Sequence, residues 1–588
     1  MSAPTSSRFA WIASQPDSPY VAAFSALLRS VVVSLTVSMP TSRNRKYASK
    51  PVFPNATFIF CTATVAKLVT PPPFPSAQFF APASYATRMS IETRPESSAA
   101  LRAAFGLVVF SFSRRSGFSG AEDELAQRTE GAMATIDGTM TNNCLSVTVD
   151  AGKTLTLKGL AFTRSSKTAL TKTGAGNLAL VGCRFTDNGW YNYVNYYGKT
   201  GDSGKSQFNG GGANVSGGGL FAVTNCLVDG NVEHAPGGQY GNAYSFNGCG
   251  FYASGVSIDI VNTSFLSNGI PAALFQAWCP AGREGMRGTA LYVESAPSVK
   301  VEGSRFVGNR GCNHQGGAAI HIQNTGAAPR SIVFRSTLVA GNFSEVWYNG
   351  DSYAKTGAPL TIIGSKQNAA SPTTVELDRC TVAYNSTSAG ADCAGVMVIG
   401  ADNAPYAVSV RNSIFFGNLA SFSSAAHPSA VDFRLGKNVS LDLDYSLIQS
   451  TELPYVMLDD ASATATFGDH LVLGQDARFV TRESEFLASL QELNGRAIAT
   501  PTNSVRVVTK PDADPTAWNF HLRGGAYLNE LTGETERFAR PSPALEAGDP
   551  AADSSREPAP RGRRINLGYY GGTEWATGPR PGLRLIVR

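Results

Sequence analysis

From about residue 150 the chain alternates apolar and polar positions in short runs, and the runs recur. Each copy is an alternating apolar strand, a small residue, a residue pair ending apolar, and an Asn five positions after the small residue. The copies read LVGCRFTDN, AVTNCLVDGN, IVNTSFLSN, VEGSRFVGN, RSTLVAGN, LDRCTVAYN and VRNSIFFGN. Their small residues are Cys183, Cys226, Thr263, Ser304, Thr337, Cys380 and Ser413; the matching asparagines are Asn188, Asn231, Asn268, Asn309, Asn342, Asn385 and Asn418. Degenerate copies at Leu160 and Ser446 make nine. The first step is 23 residues, one bare turn of a three-sided strand coil, and later steps of 33–43 leave room for loops. A second strand precedes many copies, as in GTALYV from 288 and GAAIHI from 317, which gives two strands per copy with Gly at the corner. No helical period of 3.6 competes with this.

In a coil of stacked parallel strands, equivalent side chains lie one above another at about 4.8 Å. Inward positions must then be small or flat, which accounts for the Cys/Ser/Thr column and the Phe/Val/Ile column two residues later. An Asn at a bend accepts left-handed geometry and bonds its counterpart on the next rung, forming a ladder. The pattern predicts an all-β fold, a right-handed parallel β-helix (a solenoid) over residues 121–455 with long loops on one side.

The flanks differ. Residues 1–120 carry twelve Lys+Arg against three Asp+Glu and no sustained period, and read as a largely disordered, basic N-terminal extension. Within it, residues 89–121 are laid out like an export segment if Met89 is a start: an Arg-bearing lead, the apolar run Ala103–Phe112, then small residues. Residues 456–588 read as an extension packing on or capping the coil, with a short helix over Ser484–Leu493 presenting Phe486, Leu487, Leu490 and Leu493 on one face.

Charge and cysteine content narrow the function classes. Charged residues are only 16% of the 588, and the net +5 belongs to the front end, leaving the body at −4. That body lacks the concentrated basic face of a nucleic-acid binder. Nine scattered cysteines without a CxxC pair exclude zinc-site spacing and argue against a disulfide framework. No segment suits an integral membrane span.

Toward the end stand SPALEAGDPAADSSREPAPRGRRINLGYYGGTEWA, and before it the strings NSIFFGN and DYSLIQ. With these, the region from roughly 145 to 575 resembles bacterial right-handed parallel β-helix proteins of the pectin-lyase-like superfamily. Glu546, Arg563 and Tyr569 stand where that pattern has Asp, Gly and Ala. The resemblance implies a secreted or cell-surface protein, often one associated with polysaccharide. The NTD, GHG and RIK strings of polygalacturonase-like hydrolases are absent, and the only adjacent Asp pair is Asp459-Asp460.

Two residue sets are candidates for chemistry. Asp187 and Asp229 occupy near-equivalent positions on neighbouring rungs, as a carboxylate pair for glycoside cleavage requires; the alternative is a pair of solvated turn acids. Glu233 and His234 follow in the next loop and complete a candidate catalytic group. The loops 189–216, 232–249, 269–287 and 343–356 are rich in rings and cations, with Trp190, Tyr191, Tyr193, Tyr196, Tyr240, Trp278, Arg283 and Trp347, and His314 falls in the loop following Asn309. Flat rings with a polar handle suit stacking on sugar faces, or packing of the loops against the coil. His321 alternates within AIHIQN and is expected to point out of the coil. The expected function is contact with polysaccharide through aromatic loops, without an identifiable catalytic centre. The alternatives are a lyase or hydrolase working from the 187–314 loop face and a structural or adhesive surface protein. No metal site or cofactor is called for; calcium would have only the rung acids to bind.

Overall fold

The computed structural model describes Ser90–Glu92, Val109–Ser111 and residues 133–578 except 140–142, 190–206, 233–244, 271–284, 314–318, 325–329, 347–357, 365–371, 388–392, 403, 421–430, 450–455, 493–506, 511, 530–531 and 560–562. Apart from the two short strands, the basic extension lies outside the described residues.

The repeat folds as a right-handed parallel β-helix with three walls, A, B and C, of 12, 11 and 10 strands, wall A being extended at its first edge by Val109–Ser111 and by Ser90–Glu92, which pairs antiparallel. One rung runs from wall C (Leu291–Glu294) through wall A (Ser298–Glu302) to wall B (Arg305–Val307) before the next returns to wall C at Ile320–Asn324. Each repeat therefore holds three strands rather than two. The three residues after the small position, too short to show a period, pair as a wall of their own: Arg184–Thr186 with Leu227–Asp229, and so on upward. Short strands such as Gln207–Asn209 and Arg310–Asn313 add minor ladders beyond wall B. Parallel pairing continues past residue 455, where the sequence pattern fades, to Val456–Leu458, Thr464–Phe467 and Val472–Leu473.

Strand alternation sends one side of each wall into a continuous core. In wall A, Leu157, Leu180, Val223, Ile260, Val301, Phe334, Leu377, Val410 and Leu443 form one buried column. Phe162 stacks on Phe185 at 4.7 Å, and Phe265 on Phe306 at 4.7 Å. The small column takes one corner. Its side chains accept from the backbone N–H below, as in Thr263 N to Ser304 Oγ at 3.1 Å. The asparagines take the other: each Nδ2 donates to the next Asn Oδ1 at 2.9–3.0 Å and to a backbone carbonyl. The residue in left-handed geometry is the one before each ladder Asn, namely Asp187, Gly230, Ser267, Gly308, Gly341, Tyr384 and Gly417. The Asn itself is free to point inward because its predecessor makes the bend.

Beyond the last rung the chain turns back along the outside of wall B. Ala477, Phe479, Phe486, Phe520, Leu522, Ala544 and Leu567 close over Val307, Leu338, Ala340, Ala383, Ile414, Phe416 and Leu447. The helix is Glu483–Ala488, shorter than the period suggests; Phe486 is buried but Leu487 is 49% exposed, and Leu490–Glu492 is a strand paired with Val507–Thr509. The SPALEAGDP and GRRINLG strings belong to this docking. Asn566 Nδ2 donates to the Thr577 carbonyl, and its Oδ1 accepts from Glu546 N. Gly568 sits where a Cβ would meet Thr381 Oγ1 at 2.5 Å. Cys144, Cys183, Cys226, Cys249, Cys380 and Cys393 are buried.

Candidate functional site

All the ring-bearing loops enter and leave at the same edge. The chain reaches Asn188, Val232 and Ile270 at the ends of successive wall B strands, then resumes at Gln207, Ser245 and Gly285 on the way to wall C. On the next rungs wall B leads through Arg310–Asn313 and Phe343–Val346 back to Ile320 and Leu360 of wall C. In-register stacking thus sets the described residues that flank 190–206, 233–244, 271–284, 314–318 and 347–357 on one border, between walls B and C. Trp190, Tyr191, Tyr193, Tyr196, Glu233, His234, Tyr240, Trp278, Arg283, His314 and Trp347 lie in these segments, outside the described residues.

Asp187 and Asp229 are described. Asp187 is in register with Gly230, whereas Asp229 pairs with Thr186 and Leu266, so the two acids are offset by one position. Asp187 makes the exposed left-handed bend at φ 55°. Asp229 is half-buried, and desolvation, then the charges of Asp187 and Asp514, push its carboxyl up to about 6. Desolvation raises Asp187 too, against the pull of Arg164. The chain at Asp514 comes from the returning C-terminal segment, whose Pro515 packs on Gly308 and whose Ala513 carbonyl lies 3.5 Å from Arg310 Nη2. The acids therefore share a seam between coil and C-terminal segment.

The outer face of wall C carries an arrangement absent from the sequence reading. Register aligns Asn214, Tyr252, Tyr292, His321, Thr361, Met397 and Arg434 in one outward column. Tyr252 stacks on Tyr292 at 5.5 Å, and Tyr292 on His321 at 4.9 Å with the rings 4° from parallel. Tyr252 Oη donates to Glu294 Oε2, and Tyr292 Oη to Gln323 Oε1, both at 2.6 Å. His321 does point out of the coil, yet it is only 1% exposed. Burial, then the charge of Arg287, draws its imidazole down to about 3, so it is neutral across the physiological range. Burial, then the Glu294 hydrogen bond and charge, raises the Tyr252 phenol and keeps it protonated. This neutral, ring-faced row borders the loop-bearing edge. The strings FYAS, LYVE and IHIQ carried the signal, legible only once the strands are aligned.

Wall A presents a different surface. An open groove of about 700 Å³ is lined by Glu376, Asp378, Arg411, Asn412, Asp442 and Asp549, among others. Its charges answer one another: Arg335 to Glu376 at 2.7 Å, Arg411 to Asp442 at 2.5 Å, Asn412 Nδ2 to Asp378 at 2.8 Å. Among the described residues no group of three or more His, Cys, Asp or Glu is placed to hold a metal ion, and no helix is long and apolar enough to cross a membrane.

No protein-family model, curated protein or solved structure matches the chain.

Proposed function

We propose that this chain is a secreted or cell-surface β-helix, of the pectin-lyase-like kind, that binds polysaccharide along the border of walls B and C. One observation carries the reading: five insertions that between them hold eleven candidate residues spring from a single edge, beside the row Tyr252–Tyr292–His321. Ring-bearing insertions that recur from rung to rung along one edge suit an extended polymer better than a compact metabolite, because successive insertions can meet successive sugars. The C-terminal GRRINLGYYGGT string supports the family reading, and the export-like layout of residues 89–121 supports secretion.

The second reading, a lyase or hydrolase, is favoured by Asp229, whose carboxyl is pushed up to about 6 by desolvation and by the neighbouring charge of Asp187. Incubating the protein with a panel of acidic and neutral polysaccharides separates the two. Binding without new reducing ends or unsaturated products is the expected result. Cleavage abolished by Asp229→Asn would establish the enzyme instead. Neither binding nor cleavage would leave a structural or adhesive coil.

A further inference from the structure

One stretch of the small-residue column holds two cysteines in succession. The column runs Leu160, Cys183, Cys226, Thr263, Ser304, Thr337, Cys380, Ser413 and Ser446, and within it only Cys183 and Cys226 are neighbouring thiols. The backbone sets them in register: Arg184 faces Leu227, and Leu227 N donates to the Cys183 carbonyl at 2.9 Å. Cys226 Sγ in turn accepts from Cys183 N at 3.3 Å, so its sulfur leans onto the rung that carries Cys183. Both side chains occupy the same corner between walls A and B, at 1% and 4% exposure, and both are thiols in this structure. A hydroxyl fills the acceptor role equally well, as Thr263 and Ser304 do on the next rungs. Nothing in that role calls for sulfur twice running.

We propose that Cys183 and Cys226 are a cross-linking site, closed into a disulfide between neighbouring rungs by exchange with a small-molecule disulfide. In-register parallel strands hold their Cα atoms about 4.8 Å apart, inside the roughly 4.4–6.8 Å that a disulfide spans. The Cβ atoms must approach to about 3.5–4.5 Å, so the two rungs draw together slightly at this corner. The exchange runs in two steps. One cysteine thiolate attacks the small disulfide and expels one of its thiolates; the second cysteine thiolate then attacks the mixed disulfide and expels the other. Two protein thiols thereby lose two electrons and two protons, and one small disulfide becomes two small thiols. The finished corner is buried, so the exchange takes place as the rungs pair during folding. The two sulfurs stand 43 positions apart and bracket segment 190–206, the first ring-bearing insertion, so the bridge ties together the two rungs that hold it. The export reading places the chain where such oxidants are found.

Full-length chain is folded in a buffer of reduced and oxidised glutathione, then unfolded in an alkylating denaturant without reductant, digested and read by mass spectrometry. A linked Cys183–Cys226 peptide pair, two hydrogens lighter than the separate thiol peptides, is expected in most chains, with Cys380 of the same column alkylated. Cys226→Ser keeps an acceptor for the Cys183 N–H and leaves Cys183 alkylated. Its urea midpoint falls about 0.5 M below that of the oxidised parent and matches the parent unfolded in reductant. Alkylation of both Cys183 and Cys226 in the folded parent overturns the proposal, as does either sulfur linked to a different cysteine. Because the glutathione is supplied, such a failure counts against the cross-link and not against export.

Discussion

Each interior member of the asparagine ladder both donates and accepts more than one side-chain hydrogen bond. Asn309 Oδ1 accepts from both the backbone N and the Nδ2 of Asn268, while its Nδ2 donates to the Phe265 carbonyl and to Asn342 Oδ1. With the side chain fully buried, Asn309→Ala strands several partners at once, and urea denaturation is expected to show a loss of about 3 kcal/mol or more. The ladder ends at Asn418, whose Nδ2 donates to Asp432 Oδ1 at 3.2 Å. Asp432 is a buried carboxyl that desolvation raises to about 7, against the Asn418 bond. A raised carboxyl favours the fold while protonated and loses that contribution as pH climbs through its folded value. Stability therefore falls between pH 5 and pH 8, by up to about 3 kcal/mol from this group. Asp432→Asn keeps the acceptor and removes the charge, so its stability profile is flatter and lies above the parent at pH 8. An unchanged slope would place the titration elsewhere. The ladder and the small column were legible in sequence because one residue type repeats at one position. Asp432 was not, because it meets Asn418 only across a loop.

At the scale of elements, the decisive contact is between wall B and the returning C-terminal segment. The outward residues of the early wall B strands are mostly polar (Arg184, Thr186, Asp229 and Ser264, against Leu227 and Leu266), whereas from Val307 onward they are mostly apolar (Leu338, Ala340, Ala383, Ile414 and Phe416, against Thr381). That switch marks where the segment docks. Tyr384 is its centre: the ring stacks on Phe486 at 5.1 Å, meets Phe479, Trp518 and Phe520 within 6 Å, and its Oη donates to the Thr481 carbonyl. Tyr384 also makes a left-handed bend, where Gly341 and Gly417 serve on neighbouring rungs. Tyr384→Gly thus suits the corner and deletes only the ring, and about 3–5 kcal/mol of docking is expected to go with it. Limited proteolysis should then cut within 476–578 while the rungs stay resistant; uniform loss of both would refute independent docking. The repeat pattern did not show this wall as a strand because three residues cannot display alternation, and the expectation of an extension packing on or capping the coil did not say which wall receives it, because the partners lie about a hundred residues apart.

For the whole molecule, the coil is a scaffold that converts sequence spacing into a straight border of loops. The outward row on wall C escaped the sequence reading for a physical reason: Asn214, Tyr252, Tyr292, His321 and Thr361 are held together by register and not by one repeated side-chain type. The ring-bearing loops themselves were plain in sequence, since WYNYVNYY needs no alignment to be seen. Polysaccharide binding at that border is the central claim, and equilibrium binding of the folded full chain to acidic and neutral polysaccharides tests it most directly. The account predicts micromolar binding to at least one polymer, weakened ten-fold or more by combining Trp190→Ala, Tyr193→Ala, Tyr240→Ala and Trp347→Ala, on the order of 1–3 kcal/mol for each lost stack, and unaffected by Asp442→Asn in the wall A groove. Equal affinity in the loop variant, or no binding to any polymer, would contradict it.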